Sequence, residues 1–252
     1  MINDKVTRLK NLLKDSETQD PAKVRKEAKE FLKSIDAQEL IFAEQQLMSE
    51  GLQPESLSAL CAAHLELLQD DLDSAKGGLE DGHPVKTLML EHEAILGFLD
   101  ELEAAIFMIK KSKKYTDVNP KLFLKLKEIT GKLLESDSHY EREEEALFPV
   151  AQDNGIFGPP QIMINEHELL RPLKKLIDEK VNSLTEDSYQ GFKNDFVPTA
   201  QKLIQTLRDH IYKENNILFP AALQAIPKEK WDSIKKKADK IGYCSFTPGV
   251  TK

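Results

Sequence analysis

Apolar residues recur at three- and four-residue spacing along nearly the whole chain, and strand-like alternation is almost absent. The pattern therefore predicts helices throughout. Between residues 1 and 75 the runs are short. Ile2, Val6, Leu9 and Leu13 mark a first helix, and Asp20-Pro21 opens a second with Val24, Ala28, Phe31 and Leu32. Asp36 and Glu39 have capping-box spacing ahead of Leu40, Ala43 and Leu47, and Gly51 stops that helix. Pro54 opens a fourth, with Leu57, Leu60, His64 and Leu68.

Gly77-Gly78 and Gly82-His83-Pro84 then read as a linker. Beyond it four longer helices are expected at about 84–112, 120–147, 160–182 and 191–218, with Gly and Pro falling between the runs rather than inside them. A short helix at about 228–241 follows, and the tail from Tyr243 reads as unstructured or as the start of a further element. Short connections between four similar helices favour an all-α fold. The expected architecture is an antiparallel up-down-up-down four-helix bundle over 83–221, preceded by a small N-terminal helical domain at 1–76 and followed by a C-terminal helix and tail at 222–252.

The bundle region contains itself twice. Glu91-His92-Glu93 recurs as Glu166-His167-Glu168, and His139-x-x-x-Glu143-x-x-x-Leu147-Phe148-Pro149 recurs as His210-x-x-x-Glu214-x-x-x-Leu218-Phe219-Pro220. The histidines of the two motifs lie 47 residues apart in one half and 43 in the other, so each half is a two-helix hairpin. Residues four apart share a helix face. His139 with Glu143, and His210 with Glu214, can each offer an imidazole and a carboxylate to one inner space, and His92 and His167 add one imidazole from each remaining helix. His92 sits on a stripe with Leu88, Ile95, Leu96 and Leu99, and His210 with Leu203, Leu207, Ile217 and Leu218. Ionisable groups buried on such stripes need a partner, and a metal supplies one.

Four imidazoles with two carboxylates suit iron better than calcium or magnesium, which prefer all-oxygen shells. The spacing alone leaves iron, manganese, zinc or a mixed pair open. Glu144 and Glu145 are expected on a solvated face, and Glu91, Glu93, Glu166 and Glu168 are expected to face outward or at most to support a ligand from behind. The ferritin-type Glu-x-x-His spacing occurs only at Glu80 to His83, across Gly82.

Charge and composition narrow the function. A net charge of −8 argues against a broad nucleic-acid or anionic-membrane surface. No window nears 18 uninterrupted apolar residues, no signal-peptide core opens the chain, and two cysteines, Cys61 and Cys244, form no disulfide framework. The expectation is a cytoplasmic protein. Cys61, His64, His83 and Cys244 are the remaining metal-competent Cys and His residues, and some of them could build a second site.

The His-Pro start, Glu-His-Glu, His-x-x-x-Glu and Leu-Phe-Pro elements together resemble the hemerythrin-like, HHE cation-binding family. That resemblance puts iron ligands on His92, His139, Glu143, His167, His210 and Glu214, and implies two iron ions in a non-haem di-iron site, optionally oxo- or hydroxo-bridged. Compared with the oxygen-carrying hemerythrins this set is one histidine short, which argues against reversible oxygen carriage. Residues 1–75 look like an uncharacterised helical domain often found ahead of HHE domains. The di-iron proteins that repair iron–sulfur clusters share the ligand pattern, but they carry paired cysteines in a small N-terminal domain, which residues 1–75 lack.

The leading expectation is a protein that binds or senses oxygen or nitric oxide, or responds to redox state, with the N-terminal domain meeting a protein partner. One alternative is an enzyme that reduces nitric oxide or peroxide or repairs iron–sulfur clusters, although no G-x-G-x-x-G flavin or nicotinamide fingerprint occurs. Another is iron storage or a structural metal. The oligomeric state is not legible.

Overall fold

The computed structural model describes residues 5–11, 31, 35, 46 and 78–249. The chain divides into two compact units, one of Met1–Leu79 with Asn215–Gln224 and one of Glu80–Glu214 with Ala225–Lys252. In the first, residues 5–11 are helical, Val6, Leu9 and Phe31 are buried, and the Arg8 guanidinium stands 5.6 Å from the centre of the Phe31 ring.

The second unit is built from α1 (Pro84–Lys111), α2 (Pro120–Glu135), α3 (Asp137–Arg142), α4 (Phe148–Asp153), α5 (Gly158–Asn182) and α6 (Tyr189–Lys213), and later α8 (Trp231–Ile241); α7 (Phe219–Ala225) comes between. All described regular structure is helical. Helices α1 and α2 start on matched signals. Each has proline in its first turn, where a missing N–H costs nothing, and a capping side chain before it: His83 accepts from the Val85 amide at 3.3 Å and Asn119 from the Lys121 amide at 3.0 Å. Helix α1 ends with Lys110 and Lys111 at the negative end of its dipole and Ser112 as cap.

Helix α1 packs against α2 and α6, and α5 packs against the same two, so the four long helices form a closed ring. Cross-links show that neighbours run antiparallel. Glu101 pairs with Lys125 where Glu91 meets His139, and Asp100 pairs with Arg208 where Lys110 meets Lys193. Asp137 pairs with Lys174 where Thr130 meets Asp178. Apolar residues fill one end of the ring, with Leu99, Leu102, Ile109, Leu126, Leu133, Ile177 and Phe196 buried.

The helices depart from the periodic expectation in four ways. Gly158-Pro159-Pro160 is the first turn of α5 rather than a separator. Pro172 and Pro198 lie inside α5 and α6. Both prolines, and the residues Glu168 and Asn194 whose carbonyls lose a partner, are exposed, so water can serve the freed groups. The segment expected as one helix over 120–147 breaks at Ser136, and the stretches Glu143–Leu147 and Glu214–Leu218 each widen into a π turn. Proline explains the first of these. Pro149 has no N–H for the Glu145 carbonyl and its ring crowds that group, so the preceding turn opens; Lys237 Nζ fills the gap, donating to the Glu145 oxygen at 2.5 Å.

The fourth departure is the tail. Gly242, at φ 97°, ends α8 and turns the chain back, and the following residues are ordered against α1 and α3 rather than unstructured. Cys244 and Thr247 are buried, Phe246 meets Phe98 edge-on at 5.2 Å, and the Arg142 guanidinium lies 4.8 Å from the centre of the Tyr243 ring.

Candidate metal centre

The end of the ring opposite the apolar fill holds His92 on α1, His139 on α3, His167 on α5 and His210 on α6, with Glu143 and Glu214 opening the two π turns. All six are buried. His92 Nε2 faces His139 Nε2 at 3.0 Å, and His167 Nε2 faces His210 Nε2 at 3.0 Å. The two carboxylates lie between these pairs. Glu214 is 3.2 Å from His92 Nε2 and 3.1 Å from His210 Nε2, and Glu143 is 3.5 Å from both His139 Nε2 and His167 Nε2. Two ligand-like groups result, His92–His139–Glu143–Glu214 and Glu143–His167–His210–Glu214, each with donor atoms within 4.8 Å of one another. They share both glutamates.

The donor set fits cations. Among the described residues, none donates a hydrogen bond to any of the four oxygens of Glu143 and Glu214, although all are buried. A carboxylate removed from water without a partner is costly, and two metal ions among these atoms would satisfy every oxygen together with the four inward imidazole nitrogens.

Carboxylates stand behind His139, His167 and His210. His139 Nδ1 donates to Glu91 at 2.7 Å, His167 Nδ1 to Glu144 at 2.7 Å and His210 Nδ1 to Glu166 at 2.9 Å. Each bond fixes the tautomer that leaves Nε2 free to coordinate and stops the ring from turning. These carboxylates are held in turn. Arg142 Nη2 donates to both Glu91 oxygens, at 2.7 and 2.6 Å, and Thr247 Oγ1 adds a further bond from the tail. Arg171 donates to Glu144 at 3.0 Å, and Lys213 donates to Glu166. Glu144, expected on a solvated face, instead supports His167, and Glu91 and Glu166 take the supporting role rather than the outward-facing one. Glu93, Glu145 and Glu168 are exposed. The missed signal was in the repeat, which duplicates the first glutamate of Glu-His-Glu along with the histidine.

The supports are unequal. The Glu91 side chain is 0% exposed, whereas Glu144 and Glu166 are 25% and 20% exposed. Burial works against charge on Glu91, but His139 and Arg142 hold its carboxyl down at about 2. Burial likewise disfavours charged histidine, yet Glu143 and Glu91 hold His139 up at about 9, and Glu214 and Glu166 do the same for His210. Metal binding must displace those protons.

His83 and Cys244 join no group of three or more such donors among the described residues. His83 caps α1 with its ring 4.6 Å from that of Trp231. The Cys244 thiol lies 3.2 Å from Ser138 Oγ, and burial pushes its pKa up. Cys61 and His64 lie outside the described residues.

Residues 83–222 match the family described as the hemerythrin HHE cation binding domain, and the chain belongs to that family. Residues 9–74 match a family of unknown function, DUF438. The chain is 33% identical over 97 residues to the iron-sulfur cluster repair protein YtfE of Escherichia coli O157:H7 and, equally, to that of Shigella boydii serotype 18. The match covers 35% of this chain and 42% of each relative, so the chain spans under half the length of the curated relatives it matches. No helix among the described residues is long and apolar enough to cross a membrane.

Proposed function

We propose that this chain holds two iron ions through His92, His139, Glu143, His167, His210 and Glu214, and that the pair binds oxygen or nitric oxide or responds to redox state. The observation that carries this reading is the sharing of both carboxylates by the two groups of imidazoles. Each ion would take two imidazoles and a part of two bridging carboxylates, four protein donors where iron commonly accepts more. Bound iron would supply open positions for a diatomic ligand and a one-electron change of state. The protein's part is positional. Glu91, Glu144 and Glu166 orient their imidazoles, the buried bundle end excludes bulk water, and Arg142, Arg171 and Lys213 balance the charge of those three carboxylates.

The test is metal analysis of anaerobically purified protein, followed by optical titration of the reduced form with each gas. About two irons per chain and a saturable spectral change are expected; no response to either gas refutes the sensing reading. Similarity to proteins named for iron–sulfur cluster repair favours a second reading, in which iron leaves the centre for a damaged cluster. Repair activity with iron lost in step would select it over sensing.

A further inference from the structure

Tyr140 follows the ligand His139, and its ring lies among three of the four imidazoles. It stacks on His167 with ring centres 3.9 Å apart and planes at 16°, and its centre is 5.8 Å from His210 and 6.0 Å from His139. Lys174 Nζ stands over the ring at 4.0 Å and is itself held by Asp137 at 2.5 Å and Ser136 at 3.0 Å, so the ring is contacted by His167 and by a fixed ammonium. Yet the hydroxyl, fully buried, has no hydrogen-bond partner among the described residues. Buried phenols almost always find one, and phenylalanine would fill this space without the penalty of a desolvated hydroxyl. An ordinary phenol is protonated at neutral pH, so the oxygen has a proton to donate. A proton donor is thus held beside the centre with nothing among the described residues to receive it.

We propose that the Tyr140 hydroxyl donates a hydrogen bond to a small exogenous ligand at the His167–His210 half of the centre, favouring ligands whose outer atom is a charged or strongly polar acceptor. This rests on the two-iron reading. The phenol positions and selects; it does not coordinate.

The test compares the full-length chain with Tyr140→Phe, both loaded with iron and oxidised, with azide as the probe. Iron per chain is measured first. Fewer than two irons in the parent protein overturns the two-iron reading and this inference with it. With two irons in both proteins, the substitution is expected to weaken azide binding about tenfold or more, the size of a lost hydrogen bond to a charged acceptor. The azide stretching frequency should shift in deuterated solvent for the parent and not for the variant. Equal affinity and equal solvent shift overturn the inference alone. A tyrosinate-to-iron absorption band that vanishes on substitution overturns it differently, by making Tyr140 a ligand. In the metal-free protein the substitution should not lower the unfolding temperature, because no internal bond is lost. A lower midpoint would reveal a partner within the chain and also refute the proposal.

Discussion

Replacing Glu91 with alanine removes the acceptor of His139 Nδ1 and the partner of Arg142 in one step, and the structure separates the two costs. Arg142 is 3% exposed, so its guanidinium stays buried with its charge unmatched. Breaking one side of a buried pair costs about 3–5 kcal/mol. Arg142 Nε still donates to the Ser138 carbonyl, which places the expected loss near about 3 kcal/mol. Glu166→Ala is the matched control. It frees His210 Nδ1 in the same way, but its cation, Lys213, is 32% exposed and remains hydrated, so the loss should be the smaller one, about 1–2 kcal/mol for the unpaired buried imidazole. Urea denaturation of the metal-free variants reads both, provided the slopes agree. Metal affinity should fall about 10- to 100-fold in each, because each loses the carboxylate that orients an imidazole. Equal destabilisation by the two substitutions would refute the argument from burial. Unchanged metal affinity in both would refute the orienting role.

The titrating groups fix how the metal-free protein responds to pH. Glu91 is depressed from 4.5 to about 2, so its contribution is full above 4.5 and is lost as pH falls through 2; His139 and His210 are raised from 6.5 to about 9, so theirs is full below 6.5 and is lost as pH rises through 9. Thermal unfolding should therefore show greatest stability between about pH 4.5 and 6.5, and a steady rise from 6.5 to 9 would contradict it. Glu214→Gln weakens a donor shared by both groups, so iron per chain should drop well below that of the parent; retention of two irons would deny the bridging role. Cys244, buried and with its thiol pKa pushed up, should resist iodoacetamide in the native protein and react after denaturation, and native labelling seen by mass spectrometry would refute its placement.

The helix ring and the gathering of the six inward side chains were legible because both rest on spacing. A four-residue step fixes a shared face, and duplication of the motif marks the helices that must converge. The supporting carboxylates were harder to see. Glu91 bonds an imidazole 48 residues away, and nothing in its local pattern distinguishes it from exposed Glu93. The π turns were hidden for a related reason, since apolar periodicity is insensitive to one extra residue; only the repeated proline six residues past each glutamate hinted at them. The tail was misread because its ordering depends on pairing with Arg142 and Glu91 and on one aromatic contact, not on any periodicity of its own.

The internal duplication suggests two equivalent metal positions, but the chain's last described residues break that equivalence. The Thr247 hydroxyl closes over Glu91 on the His139 side, while the glutamates behind His167 and His210 keep contact with water. A drier surrounding penalises the higher charge state. On the proposed two-iron reading, an iron between His92 and His139 would therefore be the easier one to reduce, and a singly reduced pair would trap its electron there instead of sharing it. Two distinct quadrupole doublets in the Mössbauer spectrum of the half-reduced protein would report that localisation, and a single averaged doublet would exclude it.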